Sequence, residues 1–383
     1  MHKPRVLIAM ATSILGGPGK GLVQFLRHGG LEGCQPWIID YHAECRQKET
    51  DFEKAIKVTG GTLVPLRQRK TFDIGLVKQA FDLVRKQKIT LLQSHGYKSH
   101  VLCGLLKQKT GLPWLAFVHG WTRENLRIRA YTALEHILLF GADEVVGVSE
   151  SLRLRLLPPI RRRCRVIPNA LAEEELQANC FRDEVRSALR VPEDAILVGI
   201  VGRLSPEKGH RVFLRALSAA RQHDPRLWGL IMGDGQERQT LETEAQRLGI
   251  ERVCVFTGHV NNTANLYSAM DMQVLSSFTE GMPNVILEGM YMGLPVIATR
   301  VGGVPEVVEE NRTGILINSG DEDALAESML KLSASPEQRE VMGRAGTERI
   351  RAHFSPRIRT GRILKLYHEI LANKPRREGP TED

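Results

Sequence analysis

Three stretches of this 383-residue chain combine residue types that could hold an anion beside vicinal hydroxyls. Gly202-Arg203-Leu204-Ser205-Pro206-Glu207-Lys208-Gly209 sets two cations five residues apart across a turn, with a helix expected from about Lys208. Arg grips phosphate oxygens in a bidentate way and Lys adds a point charge. At a strand end the pair suits a diphosphate leaving group. Glu280-Gly281-Met282-Pro283-Asn284-Val285-Ile286-Leu287-Glu288 reads as a loop stiffened by Pro283, with a helix beginning at Asn284. Glu280 falls in the loop and Glu288 about one turn into the helix. The N–H groups of a helix start can hold phosphate, while carboxylates accept two hydrogen bonds from neighbouring hydroxyls. Ser13-Ile14-Leu15-Gly16-Gly17-Pro18-Gly19-Lys20-Gly21 is a glycine-rich strand-to-helix turn, suited to a phosphate contact or simply to a tight turn. It is no Walker A loop, since Ile14 and Gly21 occupy positions that motif gives to Gly and to Ser or Thr.

Other constellations carry less. Cys34, Cys45, Cys103, Cys164, Cys180 and Cys254 form no C-x-x-C pair, so zinc and dithiol redox chemistry lack support, and unpaired thiols fit the cytosol. Asp321-Glu322-Asp323 spells a D-x-D metal motif, but it precedes a helix, where carboxylates favour the start. No metal site is expected.

The elements that must position these residues are short apolar strands alternating with helices. Arg5–Met10, Trp37–Asp40, Ile89–Gln93, Leu115–His119, Glu144–Ser149 and Arg165–Pro168 are strand candidates, with helical periodicity over Ile74–Lys88 and Ile128–Phe140. The pattern restarts with Ala195–Gly202, Leu227–Met232, Val253–Thr257, Met272–Ser276, Pro295–Ala298 and Gly314–Ile317. Helical stretches follow Lys208, Gly235, Asn284 and Asp321. Strands apolar on both faces and separated by helices indicate parallel sheets covered on both sides. The expected fold class is α/β: two doubly wound Rossmann-type domains with a cleft between them at the strand carboxyl ends. The expected domains are 1–190 and 191–355, divided at Val191-Pro192-Glu193-Asp194. A helix over 356–373 is expected to return to the first domain, and 374–383 to form a disordered tail.

The chain carries a net charge of +9, with 42% apolar and 25% charged residues, which excludes a disordered chain. Residues 1–195 hold 30 Lys and Arg against 20 Asp and Glu, a net of +10, and the rest of the chain is nearly neutral. A one-sided basic domain fits an anionic partner or a solubilising surface. Arg153, Arg155, Arg161, Arg162 and Arg163 form the densest cluster, with Lys98, Lys107, Lys109, Arg123, Arg127 and Arg129 as further candidates. Aromatics are only 5%, and no basic, aromatic-interleaved stripe suggests a nucleic-acid binder. The opening His2-Lys3-Pro4-Arg5 and its apolar run mimic a secretion signal, yet the glycine loop that follows reads better as the end of a buried first strand.

With these residues in place, the chain resembles the retaining glycosyltransferases of family 4, which have the GT-B fold. The family's E-x7-E signature corresponds to Glu280 and Glu288, and its phosphate-binding cations to Arg203 and Lys208. Gly293–Ala298 and Val301–Glu306 resemble its next strand and loop, Val166–Asn169 the segment before the domain crossing, and Val118-His119-Gly120 its first-domain histidine motif. The resemblance spans roughly Arg5 to Tyr367 and is strongest over 199–310.

It implies a hexosyltransferase taking a nucleotide-diphosphate sugar, with a UDP-sugar favoured, and no metal or other cofactor. Arg203 and Lys208 would hold the donor diphosphate, Glu280 the sugar near its 3- and 4-hydroxyls, and Glu288 the ribose. Met282, Pro283, Asn284 and Val285 would offer backbone contacts, Gly16 and Gly17 would close on the diphosphate, and Val260 would meet the base. His119 would touch the outer sugar hydroxyl or the acceptor. The implied acceptor is a hydroxyl of a glycan or lipid-linked glycan in bacterial envelope polysaccharide synthesis. The implied location is the cytoplasm, peripherally on the inner face of an anionic membrane. A nucleotide-sugar epimerase shares this architecture, and a non-catalytic nucleotide-sugar sensor would keep the same binding residues.

Overall fold

The structure, a computed structural model, describes residues 3–12, 16–43, 49–68, 73–120, 126–260 and 262–373. Ser13, Ile14 and Leu15 of the glycine loop, Arg123 and the tail 374–383 lie outside them.

The first unit holds a parallel seven-stranded sheet in the order β3-β2-β1-β4-β5-β6-β7. Its strands are β1 (Arg5–Met10), β2 (Gln35–Ala43), β3 (Thr62–Gln68), β4 (Leu91–His95), β5 (Trp114–Val118), β6 (Glu144–Gly147) and β7 (Cys164–Val166). β4 and β5 are buried along their whole length, as a sheet covered on both faces requires. The second unit holds a parallel six-stranded sheet in the order β10-β9-β8-β11-β12-β13. These are β8 (Ile196–Val201), β9 (Leu227–Met232), β10 (Cys254–Gly258), β11 (Met272–Leu275), β12 (Val296–Thr299) and β13 (Gly314–Ile317).

In each sheet the strand order reverses at one place, between β1 and β4 and between β8 and β11. Val6 lies opposite Leu91 at the first reversal, and Val198 opposite Met272 at the second. Loops leaving neighbouring strands there diverge, which opens a crevice at their carboxyl ends. The loops after β8 and β11 are the two that carry Arg203, Lys208 and Glu280.

Two features differ from the expectation. β3 was not anticipated, because Pro65 interrupts it and Thr62 and Arg67 are exposed and polar; as an edge strand it tolerates a residue that cannot donate to a ladder. The division between the units falls after Asn169, not at 190–191. The helix Arg182–Ala188 belongs to the second unit because Arg182 and Arg186 fasten it there. Arg182 Nη2 donates to Asp271 Oδ1 at 2.7 Å, and buried Arg186 donates to Asp271 Oδ2 at 3.3 Å and to the carbonyls of Ala269, Pro192 and Ala195.

From Pro356 the chain groups with the first unit again. Ile363, Leu366, Tyr367 and Ile370 of the helix Pro356–Ala372 join Val6, Ile8, Phe25 and Ile38 in one buried cluster. Tyr367 meets the Phe25 ring edge-on at 6.1 Å. Burying four such side chains contributes roughly 1.5–3 kcal/mol each.

Candidate active site

The loop after β8 turns through a short 3₁₀ helix, Pro206–Lys208, and stops at Gly209. Gly209 has φ +68°, and a Cβ there would lie 2.1 Å from the Ser276 carbonyl oxygen. Only glycine permits that close approach, which presses Lys208 against the end of β11. The helix His210–Arg221 follows Gly209, two residues later than expected. Ser276 Oγ donates to the Gly209 carbonyl at 2.9 Å, and Phe278 N donates to the Glu207 carbonyl at 2.8 Å, so the two loops are stitched together.

The loop after β11 is held as firmly. Gly302 (φ +53°) packs so close that a Cβ would sit 2.0 Å from the Glu280 carbonyl oxygen. Gly303 N donates to the Gly281 carbonyl at 2.7 Å, and Thr299 Oγ1 to the Ser277 carbonyl at 2.7 Å. The helix Asn284–Tyr291 begins at the expected residue, with Pro283, which has no side chain able to cap it, at the position before.

These constraints bring Lys208 and Glu280 together, with Lys208 Nζ 2.6 Å from Glu280 Oε1. Ser277 Oγ donates to the same carboxylate oxygen at 2.7 Å. The Glu280 side chain is only 9% exposed and that of Lys208 25%. Arg203 stands at the mouth, 58% exposed, with Nη2 2.8 Å from Glu207 Oε1. Burial opposes ionisation of Glu207, but hydrogen bonds from Ser205, its own backbone amide and Arg203 outweigh it and hold the carboxyl below the ordinary range. Glu288 is buried in the second turn of its helix and accepts a 2.9 Å hydrogen bond from Tyr267. Burial, then the nearby Glu288 charge, pushes the Tyr267 phenol well above its usual range, so it stays a donor.

The remaining expected residues divide by unit. Met282 and Pro283 are buried in the Glu280 loop, Asn284 and Val285 open the helix, and half-buried Val260 follows β10. His119, Gly16 and Gly17 belong to the first unit. Gly16 caps the helix Gly17–Phe25 with open space beside it, and Gly17 is exposed. His119 follows β5, its Nε2 2.9 Å from His95 Nδ1. Burial, then the charges on Arg359 and His100, pushes His119 down to about 3.

Asp321 caps the helix Glu322–Ala334, accepting from Ala324 N at 3.0 Å, and Glu322 pairs with Arg215 at 3.1 Å. Asp321, the first carboxylate of the D-x-D motif, is thus a helix cap, and Asp323, the second, lies in the first turn. Ser277, Tyr267, Glu207, His95 and Gln93 support the site and were not singled out from sequence. Glu207 stood inside a quoted motif as an apparent spacer, Ser277 lies three residues before Glu280 and Gln93 two before His95, while Tyr267 meets Glu288 and His95 meets His119 only through the fold.

Two family models match the chain: one described as Glycosyltransferase Family 4 over residues 15–175, the other as Glycosyl transferases group 1 over residues 181–349. A D-inositol 3-phosphate glycosyltransferase of Saccharomonospora viridis is 28% identical over 74% of this chain and 70% of its own length. A lipopolysaccharide core biosynthesis glycosyltransferase of Rhizobium meliloti is 32% identical over 49% of this chain, which spans about half (54%) of that protein. Anabaena HepE, solved in complex with UDP, superposes with a TM-score of 0.82 over 96% of this chain and all of its own, at 18% identity. Matched by family models over nearly all its length and built from two parallel-sheet units with a GT-B α/β fold, the chain belongs to glycosyltransferase family 4.

Proposed function

We propose that the chain moves a sugar from a nucleotide-diphosphate donor to a hydroxyl of a glycan or lipid-linked glycan, with retention of anomeric configuration. The observation that carries this reading is the Lys208–Glu280 pair with Arg203 at its mouth, where the order of the second sheet reverses. Arg203 and Lys208 take the diphosphate and neutralise its growing charge as the anomeric C–O bond breaks. The diphosphate competes with Glu280 for Lys208, so the carboxylate turns to the sugar hydroxyls as the donor enters. Glu288, oriented by Tyr267, takes the ribose, and the amides at the helix start from Asn284 meet the phosphates. His119 serves the sugar or the acceptor, Gly16 and Gly17 approach the diphosphate by their backbone, and Val260 meets the base.

No nucleophile is assigned. The acceptor oxygen bonds to the anomeric carbon on the face the diphosphate leaves, and the acceptor proton passes to a departing phosphate oxygen. The chain's own contribution is positioning and charge stabilisation. A uridine nucleotide is favoured, supported by the UDP bound to a protein of the same fold. No metal or cofactor is assigned a role.

A thermal-shift panel of nucleotides and nucleotide sugars tests this. A ligand at 100 times its Kd stabilises by about 2.7 kcal/mol. A shift with UDP and one UDP-sugar, lost in Arg203→Ala, is expected. No shift with any nucleotide overturns the reading.

The first unit's surface supports peripheral attachment to the cytoplasmic face of an anionic membrane. Exposed Phe140, Leu154 and Leu157 lie beside exposed Arg155 and Arg162. Arg163 joins this surface by donating to the carbonyls of Phe140 (3.2 Å) and Pro159 (3.4 Å). Within the same cluster Arg153 pairs with Glu150, Lys107 with Asp143, and Arg161 donates to the Leu154 and Leu156 carbonyls. Among the described residues no helix is long and apolar enough to cross a membrane.

A further inference from the structure

A line of hydrogen bonds runs from the last helix of the chain to His119. Tyr367 donates to Gln93 Oε1. Gln93 Nε2 lies 2.8 Å from His95 Nε2, and His95 Nδ1 lies 2.9 Å from His119 Nε2. Tyr367, Gln93 and His95 are all buried. Such a line can run in either direction, because the amide could be turned and both imidazoles could exchange tautomers. Its buried end fixes the direction. Among the described residues the Tyr367 hydroxyl has one hydrogen-bond partner, Gln93. If the amide donated to it, the phenolic proton would be buried with no acceptor, which is the more costly error. Tyr367 therefore donates, Gln93 presents its NH₂ to His95 Nε2, and His95 carries its proton on Nδ1. His119 Nε2 must then accept, and its proton sits on Nδ1. Among the described residues nothing else bonds to His119, so that N–H is left for a ligand.

We propose that Tyr367, Gln93 and His95 are positioning residues that hold His119 as its Nδ1–H tautomer and so offer one uncharged donor to a sugar hydroxyl. This rests on the assignment of His119 to the sugar. A neutral donor favours an oxygen acceptor and discriminates against an ammonium group, so the sugar it contacts carries a hydroxyl or carboxylate there and not a charged amine. The rings are kept neutral by their surroundings: burial, aided by the charge on Arg359, holds both histidines well below their usual range. Tautomer, not charge, thus decides what His119 can do. Phe117 stacks on His95 at 4.7 Å and fixes the plane in which the line runs.

The test is long-range proton–nitrogen NMR on the full chain labelled in histidine, together with binding of UDP and UDP-glucose. In the wild type, His95 and His119 are expected to show a protonated Nδ1 and a bare Nε2. Tyr367→Phe frees the amide to turn, so both rings should become tautomer mixtures. UDP-glucose should then bind about five- to tenfold more weakly while UDP binding stays unchanged, the size of one lost hydrogen bond. Gln93→Glu, which can only accept when ionised, provides a second variant and should move the His95 proton to Nε2 or charge the ring. A wild-type His119 protonated on Nε2 overturns the relay. The expected tautomers with an unchanged ratio of UDP-glucose to UDP affinity in Tyr367→Phe overturn its role toward the sugar. Failure of the wild type to bind either nucleotide defeats the donor reading, and the spectra still decide the relay.

Discussion

Lys208 and Glu280, 72 residues apart in sequence, form a 2.6 Å ion pair. The cation that would meet a diphosphate is thus already neutralised, and donor entry is an exchange of partners. Lys208→Ala should therefore lower turnover by about 10²–10³-fold and abolish the thermal shift with UDP. Glu280→Gln should keep the UDP shift, since the cation is then unpaired, and lose transfer. Steady-state kinetics and thermal shift separate the two. Equal loss of UDP binding in both variants contradicts the exchange.

Tyr267 and Glu288 make a second pair, and it tests the ribose assignment. Tyr267→Phe removes the 2.9 Å donor that orients the Glu288 carboxylate while preserving the buried ring. UDP affinity should fall about tenfold, the worth of a hydrogen bond to a charged group. Free UMP and UDP should weaken alike, because the effect lies on the nucleoside. Calorimetric titration of both nucleotides reads this directly.

Acid should destabilise the second unit through His210. The ring is buried beside Lys208 and, among the described residues, neither nitrogen has a hydrogen-bond partner. Burial, then the Lys208 charge, pushes it down to about 4. Because the folded chain takes up this proton later than the unfolded one, stability is full above pH about 6.5 and falls as pH drops toward 4. At pH 5 the loss is about 2 kcal/mol. Urea unfolding at pH 7.5 and 5.0 should show at least this difference, since His95 and His119 are held low as well, and His210→Leu should shrink it by about that amount. An unchanged pH difference in the variant refutes the attribution.

The basic, apolar-tipped surface of the first unit should bind vesicles containing phosphatidylglycerol at low salt and release them at high salt. Reversing Arg155 and Arg162 to Glu should weaken binding by at least about thirtyfold, at roughly 1 kcal/mol per cation lost. Flotation with neutral phosphatidylcholine vesicles is the control. No flotation of the wild type at low salt removes the membrane proposal.

Much of this was legible from residue types. Arg203, Lys208 and Glu280 lie in loops after short, fully or largely buried strands, and Asn284 starts its helix where Pro283 allows it. β3 was not legible because Pro65 is tolerated only by virtue of its edge position, which sequence does not announce. The unit boundary was misplaced for a similar reason. Val191-Pro192 has the composition of a linker, yet Arg182 and Arg186 reach Asp271, 85 residues or more away, and that long-range pairing assigns the helix before it. Gln93, His95 and Tyr367 were invisible as a set because only the parallel pairing of β4 with β5 and the docking of the last helix bring them into line.

The return of the Pro356–Ala372 helix to the first unit also orders events during synthesis. The whole of Ala170–Ser355 is translated before Ile363 and Tyr367 exist, so the later half of the sequence can close its core first. The amino-terminal sheet must wait, with Val6, Ile8 and Ile38 lacking their final cover. The part of the protein made earliest is therefore the part completed last, and a nascent chain stalled before Pro356 would present that unfinished face to chaperones.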